Sequence, residues 1–410
     1  MPTKRSGGWA LAMLALAVLL AMAPWFTTAA LVTPLRAAWG LTGSQVAWLT
    51  MAAQLGFVAG AVAAAVSNVA DRIAPRWLIL AGGVTAAAAN AAVGLSQSFA
   101  AAWPWRLVTG ACLALVYPPA LKLMATWFRA RRGMALGVMV GALTVGAALP
   151  HLAVALGGTD WRTVVWITSA ITAAGGVWGG LAGTEGPYPF ARAPFAWNAV
   201  GRVWRAPGVR LAIGGYLGHM WELIAMWSWI GLFLEAAFAR AGVGARAAAA
   251  VTFAVIATGG VGCWWGGVLS DRGGRERAAA TAMAISGACA LTLGWIHGDG
   301  LGALAATIVI ALVWGFWVVA DSAQFSALVT ELCDARYVGT ALTVQLGVGF
   351  TLACVTIWIL PWLEARLGWG GAFAALALGP GLGIWAMARL RGYRNCLPAP
   401  PATDYSAARG

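Results

Sequence analysis

Five ionisable side chains lie inside long apolar stretches of this sequence, where a charge is difficult to accommodate. They are Arg106, Lys122, His219, Glu222 and Asp321. A charged group at the centre of a membrane-spanning helix costs about 2.5–3.5 kcal/mol on insertion scales, so such groups usually face a cavity and serve a function. A carboxyl in this position can take up a proton on one side of a membrane and release it on the other. The five residues are therefore predicted to bind substrate or couple protons.

The spacing of these residues indicates how they are grouped. His219 and Glu222 are three residues apart, which places both on one face of a helix. Arg106 and Lys122 supply opposite charge within the fourth predicted helix. For each of these residues, a structural ion pair between helices is an alternative to a role in binding or proton coupling. The side chain of Lys122 can also extend to the cytoplasmic surface. The sequence leaves these alternatives open.

Aromatic and uncharged polar residues near the predicted helix centres are candidates for the wall of a cavity. These are Trp25, Thr27, Thr28, Tyr117, Trp221, Trp317 and Gln324. Many of the 25 tryptophans lie instead near predicted helix ends. Tryptophan is enriched at both membrane–water interfaces, so an aromatic belt explains those without a role in binding.

The composition predicts an all-α membrane protein. Of the 410 residues, 61% are hydrophobic and only 10% are charged, whereas a soluble domain carries roughly a quarter charged residues. The net charge of +13 is explained by positive residues in cytoplasmic loops. Nucleic-acid binding would need a basic face on a soluble domain, and no segment is long enough to form one, so no nucleic-acid partner is expected.

Twelve apolar runs are long enough to cross a bilayer, which needs about 20 residues per helix. They lie near 9–34, 43–66, 77–98, 102–126, 133–156, 163–183, 209–236, 247–269, 278–297, 301–330, 338–361 and 368–390. The tenth is over-long, so loops are expected at its ends. The proline-rich and basic segment 184–208 divides the runs into six and six. The expected domains are an N-terminal bundle (1–183), a cytoplasmic linker (184–208), a C-terminal bundle (209–391) and a cytoplasmic tail (392–410).

The distribution of charges and cysteines limits where the protein can lie in the cell and what chemistry it can perform. With both termini in the cytoplasm, most Lys and Arg residues fall in cytoplasmic segments, as the positive-inside rule requires. The six cysteines include no C-x-x-C pair, and the sequence has only three histidines. No catalytic or phosphate-binding motif is present in the sequence. A bacterial inner-membrane protein without a metal, cofactor or enzymatic activity is therefore expected.

A short charged hairpin occurs twice, about half a chain apart. The second copy is Gly267-x-Leu-x-Asp271-Arg272-x-Gly-Arg275, and the first, Ser67-x-x-x-Asp71-Arg72, is a weaker copy. Each lies between two apolar runs. Such a repeat indicates that one six-helix unit has been duplicated, and parallel repeats place a substrate site near the bilayer midplane between the halves.

These residues resemble the motifs of the major facilitator superfamily, and the likeness covers essentially the whole chain. The second hairpin matches the family's loop pattern at every defined position. Weaker likenesses are Trp127-Phe128-x-x-Arg131-Arg132-Gly133 and Arg106-x-x-Thr109-Gly110. The resemblance implies two pseudo-symmetric six-helix bundles, with helices 1, 4, 7 and 10 around a central cavity. It also implies a cytoplasmic gate formed by Asp71, Arg72, Asp271, Arg272 and Arg275.

The leading functional hypothesis is a proton-coupled secondary transporter that moves a small organic solute by alternating access. The Trp-Phe…Arg-Gly junction favours a carboxylate or another small anion, although the carboxylate at the centre of helix 7 also suits a cationic or zwitterionic solute. Protons, the solute and the lipid bilayer are the expected partners of a monomer. A proton/drug antiporter is the alternative, and a membrane-embedded enzyme or transporter-derived sensor is a remote one.

Overall fold

The computed structural model describes residues 6–128, 132–157, 160–188, 196, 199–296 and 298–395. Parts of the predicted linker and most of the predicted tail therefore lie outside the described residues. In the first half the α-helices are α1 (Gly7–Ala21), α2 (Thr27–Ala30), α3 (Val32–Trp39), α4 (Gly43–Val66), α5 (Val69–Arg72), α6 (Pro75–Leu95), α7 (Phe99–Leu113), α8 (Tyr117–Ala125), α9 (Arg132–Gly157) and α10 (Trp161–Ala182). In the second half they are α11 (Val200–Arg205), α12 (Pro207–Arg240), α13 (Ala245–Gly273), α14 (Arg275–Leu293), α15 (Leu301–Trp317), α16 (Ser322–Leu332), α17 (Val338–Leu376) and α18 (Leu378–Asn395).

Nine of the described helical segments are long and apolar enough to span a membrane. One of them, Val338–Asn395, has 58 residues, and at about 1.5 Å per residue it exceeds twice the thickness of a bilayer core. Gly368, at φ 65°, interrupts it and separates two crossings. With α1 and its continuation to Trp39, and with α14, the described residues form the twelve predicted crossings. The predicted fold class is confirmed.

Crossings are numbered along the chain hereafter. They are 1 (α1–α3), 2 (α4), 3 (α6), 4 (α7–α8), 5 (α9), 6 (α10), 7 (α12), 8 (α13), 9 (α14), 10 (α15–α16), 11 (α17 up to residue 367) and 12 (369–395). Crossing 5 packs along crossing 8, and crossing 2 packs along crossing 11. These two contacts are the most extensive between the first half and the second.

Glycines allow equivalent helices to approach closely in both halves. A side chain at Gly56 or Gly60 in crossing 2 would overlap the backbone of crossing 4, and one at Gly262 or Gly266 in crossing 8 would overlap that of crossing 10. Gly262 and Gly266 follow Gly56 and Gly60 by 206 residues. Small residues of this kind let membrane helices pack backbone to backbone. The same packing device is therefore repeated in both bundles.

A methyl group at Gly266 is expected to destabilise the protein, because it would overlap the carbonyl of Ala320. Overpacking of this kind typically costs about 1–3 kcal/mol. Gly267 is a matched control, since a methyl group on this adjacent residue would meet open space. Thermal unfolding in detergent should show a lower midpoint for Gly266→Ala than for Gly267→Ala. Equal midpoints would show that the contact between crossings 8 and 10 is not this tight.

Three of the described crossings are broken near mid-depth over at least three residues, and crossing 12 is interrupted at residue 377 alone. Regular helix is interrupted at 22–26 in crossing 1, at 114–116 in crossing 4 and at 318–321 in crossing 10. Pro24, Pro118 and Pro119 explain the first two breaks, because proline lacks an N–H and restricts the residue before it. Crossing 10 has neither proline nor glycine at its break. The expectation of loops at its ends was wrong: helix runs from Leu301 to Leu332, with the interruption in the middle.

Candidate functional site

The closest pair of opposite potential charges inside the membrane lies between crossings 7 and 10. Nδ1 of His219 is 2.8 Å from Oδ1 of Asp321, and the two side chains are 1% and 2% exposed. The atoms are within ion-pair distance, although no hydrogen-bond donor among the described residues is aligned with Oδ1. Asp321 occupies the last position of the break, directly before α16. The imidazole and the carboxylate are thus in contact inside the second half.

Aromatic rings exclude water from one side of this pair. The ring of Phe325 lies 5.4 Å from the imidazole of His219, and Tyr216 lies 6.1 Å from it. Nε2 of His219 is buried and has no hydrogen-bond partner among the described residues. A buried donor or acceptor without a partner costs about 1–3 kcal/mol. A solute or a water molecule that reached this nitrogen would remove that cost.

Glu222 is one helical turn from His219, but its carboxylate forms hydrogen bonds with other residues of the second half. Its Oε1 accepts a hydrogen bond of 2.7 Å from the indole N–H of Trp314, and its Oε2 accepts one of 2.9 Å from the hydroxyl of Ser286. These donors belong to crossings 10 and 9. Both oxygens therefore have donors inside the bundle. The sequence did not indicate that Ser286 or Trp314 would bond to Glu222, since only the fold shows which helices face this residue.

Arg106 is fully buried and binds the break in crossing 1 rather than a carboxylate. Its guanidinium donates to the carbonyls of Pro24 at 2.8 Å and Trp25 at 2.6 Å, and to Oδ1 of Asn90 at 3.3 Å. A broken helix leaves carbonyls without intrahelical donors, and inside a membrane these need partners from the protein. Arg106 supplies them, so it fixes the shape of the break.

Asn90 is a further buried polar residue that the sequence analysis missed. Its amide donates to the hydroxyls of Thr168 at 3.2 Å and Ser169 at 2.9 Å in crossing 6, and to the carbonyl of Val165. An isolated asparagine in an otherwise apolar run was the signal available for finding it. Together with Arg106 it links crossings 1, 3, 4 and 6.

The predicted wall residues Trp25, Thr27 and Thr28 lie at or beside the break in crossing 1. The indole N–H of Trp25 donates to Oε1 of Gln54 at 2.7 Å, and its ring stacks 5.8 Å from that of Phe350 in the second half. Thr28 is buried, and its hydroxyl has no hydrogen-bond partner among the described residues. These residues therefore lie where the two halves meet.

The other predicted wall residues do not all face the same place. Tyr117 begins α8 after the break in crossing 4 and is half-buried. Trp221 points toward crossing 12, since its indole N–H donates to the carbonyl of Ala375 at 3.0 Å. Trp317 ends α15, half-buried, against Phe316. Lys122 is half-buried in the last turn of α8.

Gln324 and Arg275 form part of a polar network at the end of the second half where crossings 8 and 9 are joined. Arg275 donates to Glu331 at 2.6 Å and to Gln324 at 3.2 Å, and Arg394 pairs with Glu276 at 2.9 Å. Of the other predicted gate residues, Arg72, Asp271 and Arg272 are exposed. The side chain of Asp71 lies outside the described part of the structure. The bonds of Arg275 are thus made within its own half.

The two halves are also in contact beyond the His219–Asp321 pair, toward the ends of crossings 1 and 7 at Trp39 and Arg240. The ring of Phe26 meets that of Trp227 edge-on at 5.6 Å. Nearer those ends, the hydroxyl of Thr33 donates to Oε2 of Glu235 at 2.7 Å. Each contact joins crossing 1 to crossing 7. In this conformation the two halves therefore meet on this side of the central region.

Comparisons with known proteins agree with this architecture. The family model described as Major Facilitator Superfamily matches residues 14–357. Among solved structures, the crystal structure of nucleoside transporter NupG (D323A mutant) superposes with a TM-score of 0.70. The alignment covers 94% of this chain and 100% of that one at 13% sequence identity, so the likeness is one of fold. No curated protein matches the sequence.

Proposed function

Because the chain belongs to the major facilitator superfamily, we propose that it is a secondary transporter whose transport is coupled to protons. Its two halves rock about the central region and expose a small organic solute to each side of the membrane in turn. The external contacts of crossings 1 and 7 would have to separate when the site opens outward. The location proposed is the bacterial inner membrane, with both termini cytoplasmic and the protein a monomer.

The His219–Asp321 pair is the observation that carries the proposal. It is buried at the break of a central helix and lies 2.8 Å apart. Burial disfavours an isolated charge, whereas an opposite charge nearby favours it. Rocking of the two halves would change the access of water to this pair. We infer that this change couples proton uptake and release to the two conformations.

The charges of the central region limit which solutes it can bind. The sequence favoured a carboxylate or another small anion, but the guanidinium of Arg106 is bound to the carbonyls of Pro24 and Trp25. An anion would have to rely on Lys122 or on displacement of Arg106 from these carbonyls. The solved protein of similar fold is a nucleoside transporter, so nucleosides join carboxylates as solutes to be tested.

A thermal-shift screen of the purified protein tests this proposal. A ligand that binds the folded state raises its apparent stability, so carboxylates, nucleosides and amino compounds should be compared at an acidic and an alkaline pH. We expect at least one stabilising solute whose effect depends on pH, and the same solute should accumulate in proteoliposomes under a proton gradient. Accumulation that is independent of the proton gradient would contradict proton coupling.

Export of amphipathic compounds in exchange for protons is a second candidate function. The aromatic cluster at the junction of the halves favours it, since Trp25 stacks on Phe57 at 4.8 Å and Phe350 at 5.8 Å. Large aromatic faces suit apolar ring systems. Solute added outside vesicles should drive protons in opposite directions in a symporter and an antiporter, so the sign of the pH change decides between them.

A further inference from the structure

A cavity of about 330 Å³ opens on the external side, apart from the His219–Asp321 pair. It lies between the outer ends of crossings 1, 7 and 11. Five of its lining residues can recognise a ligand: Arg36, Trp229, Glu235, Glu364 and Trp369. The cavity adjoins the contact between the halves, because Glu235 is also the acceptor for Thr33.

The two walls of this cavity carry opposite charges. Arg36 comes from the first half, whereas Glu235 and Glu364 come from the second. None of the three forms an ion pair within 4.0 Å with another described residue. Nε of Arg36 is buried and has no hydrogen-bond partner among the described residues. Apart from the oxygen of Glu235 that accepts from Thr33, these charged groups are thus available to a ligand between them.

We propose that this external cavity binds a small zwitterionic amino compound. Its carboxylate would pair with Arg36, and its ammonium group would pair with Glu364 and Glu235. Charge-assisted hydrogen bonds of both kinds are among the stronger polar contacts in proteins. The rings of Trp229 and Trp369 add favourable faces for the cationic end. A ligand with a single charge would satisfy one wall and leave the other without a partner.

This proposal goes beyond transport through the central region, since the cavity lies at the outer surface and needs no proton pair. A ligand that contacts both walls would also stabilise the conformation in which the external side is closed. A ligand shifts a conformational equilibrium by its difference in affinity for the two states. The cavity is therefore a site at which an external solute could be recognised and could bias the transport cycle.

Calorimetric titration of the purified full-length protein tests the proposal. The probes are glycine, β-alanine and γ-aminobutyrate, in which the separation of the two charges increases, with butyrate and butylamine as single-charge controls. At least one zwitterion is expected to bind about tenfold more tightly than either control. Equal affinity for the single-charge controls, or no binding of any zwitterion at about 10 mM, would overturn the proposal.

Substitutions in the lining locate the bound probe. Glu364→Gln and Arg36→Gln should each weaken binding about tenfold or more, and Ala239→Trp should block the cavity without changing its charge. The controls Asp299→Asn and Arg366→Gln replace exposed external charges that do not line the cavity and should bind like wild type. Unchanged binding in Glu364→Gln and Ala239→Trp would overturn the proposal.

A substitution in the His219–Asp321 pair distinguishes this proposal from the proposed transport mechanism. Asp321→Asn should retain binding of the zwitterion at the external cavity, whatever its effect on proton-driven accumulation. Loss of binding in Asp321→Asn, together with unchanged binding in Glu364→Gln, would place the probe at the centre and overturn the proposal. Conversely, a failure of proton coupling would leave the titrations of the external cavity unaffected.

Discussion

Asp321→Asn is expected to abolish proton-driven accumulation of the solute while exchange of solute across the membrane continues. Asparagine keeps the shape of the side chain but cannot take up or release the proton. A pH gradient of one unit supplies about 1.4 kcal/mol per proton, which supports about tenfold accumulation at a stoichiometry of one to one. The variant should therefore equilibrate the solute and not concentrate it.

Uptake into proteoliposomes under an imposed pH gradient measures this effect, once a solute has been identified. Asp299→Asn, which makes the same chemical change at an exposed external position, is the matched control and should accumulate solute like wild type. His219→Gln adds a second measurement. Because the side chains of His219 and Asp321 are in contact, the double variant should accumulate little less solute than Asp321→Asn alone. Tenfold accumulation by Asp321→Asn would show that another group couples the proton.

Arg106→Gln is expected to lower the free energy of unfolding by about 3 kcal/mol, because it leaves buried acceptors without their charged donor. At the break the carbonyl of Pro24 accepts one backbone hydrogen bond, of 3.3 Å from Thr27, and the bonds from the guanidinium to the carbonyls of Pro24 and Trp25 are 2.8 and 2.6 Å long. Arg106→Lys should be intermediate, since an ammonium group lacks the planar fork that reaches several acceptors. Chemical denaturation in detergent micelles measures the loss.

The comparison with a surface arginine makes this prediction specific. Arg240→Gln, at the exposed end of crossing 7, should unfold like wild type. The sequence-based hypothesis placed Arg106 among the residues that bind substrate or couple protons, and it makes the opposite prediction. If Arg106→Gln were as stable as wild type and lost only solute affinity, the substrate role would hold and the structural one would fail.

Hydropathy and charge sufficed to predict the crossings but not how their polar groups pair. Each of the twelve apolar runs contains helix in the described residues, and the loop between runs ten and eleven falls within the predicted gap. The interruption at 318–321 was not predicted, because no proline or glycine marks it. Apolar content reports how deeply a residue lies in the membrane, whereas the direction of its side chain depends on which helices pack around it.

The two carboxylates at mid-depth, Glu222 and Asp321, show both sides of this difference. Glu222 and Asp321 were singled out because a carboxyl at mid-depth is costly in lipid, and both are buried in the structure. Their different surroundings could not be inferred: Asp321 lies beside His219, whereas Glu222 accepts from crossings 9 and 10. The surroundings of Trp221 could not be inferred either: its indole N–H donates a hydrogen bond to a carbonyl of crossing 12.

Hydrophobicity, loop charge and repeated motifs are properties of neighbouring residues, so they were enough to predict a duplicated bundle of membrane helices with a few ionisable groups at mid-depth. Which of these groups meet became visible only in the packed helices. Arg106 and the carbonyl of Pro24 are 82 residues apart, and the walls of the external cavity come from different halves. Such contacts depend on how distant helices pack and turn about their axes, which no local pattern records.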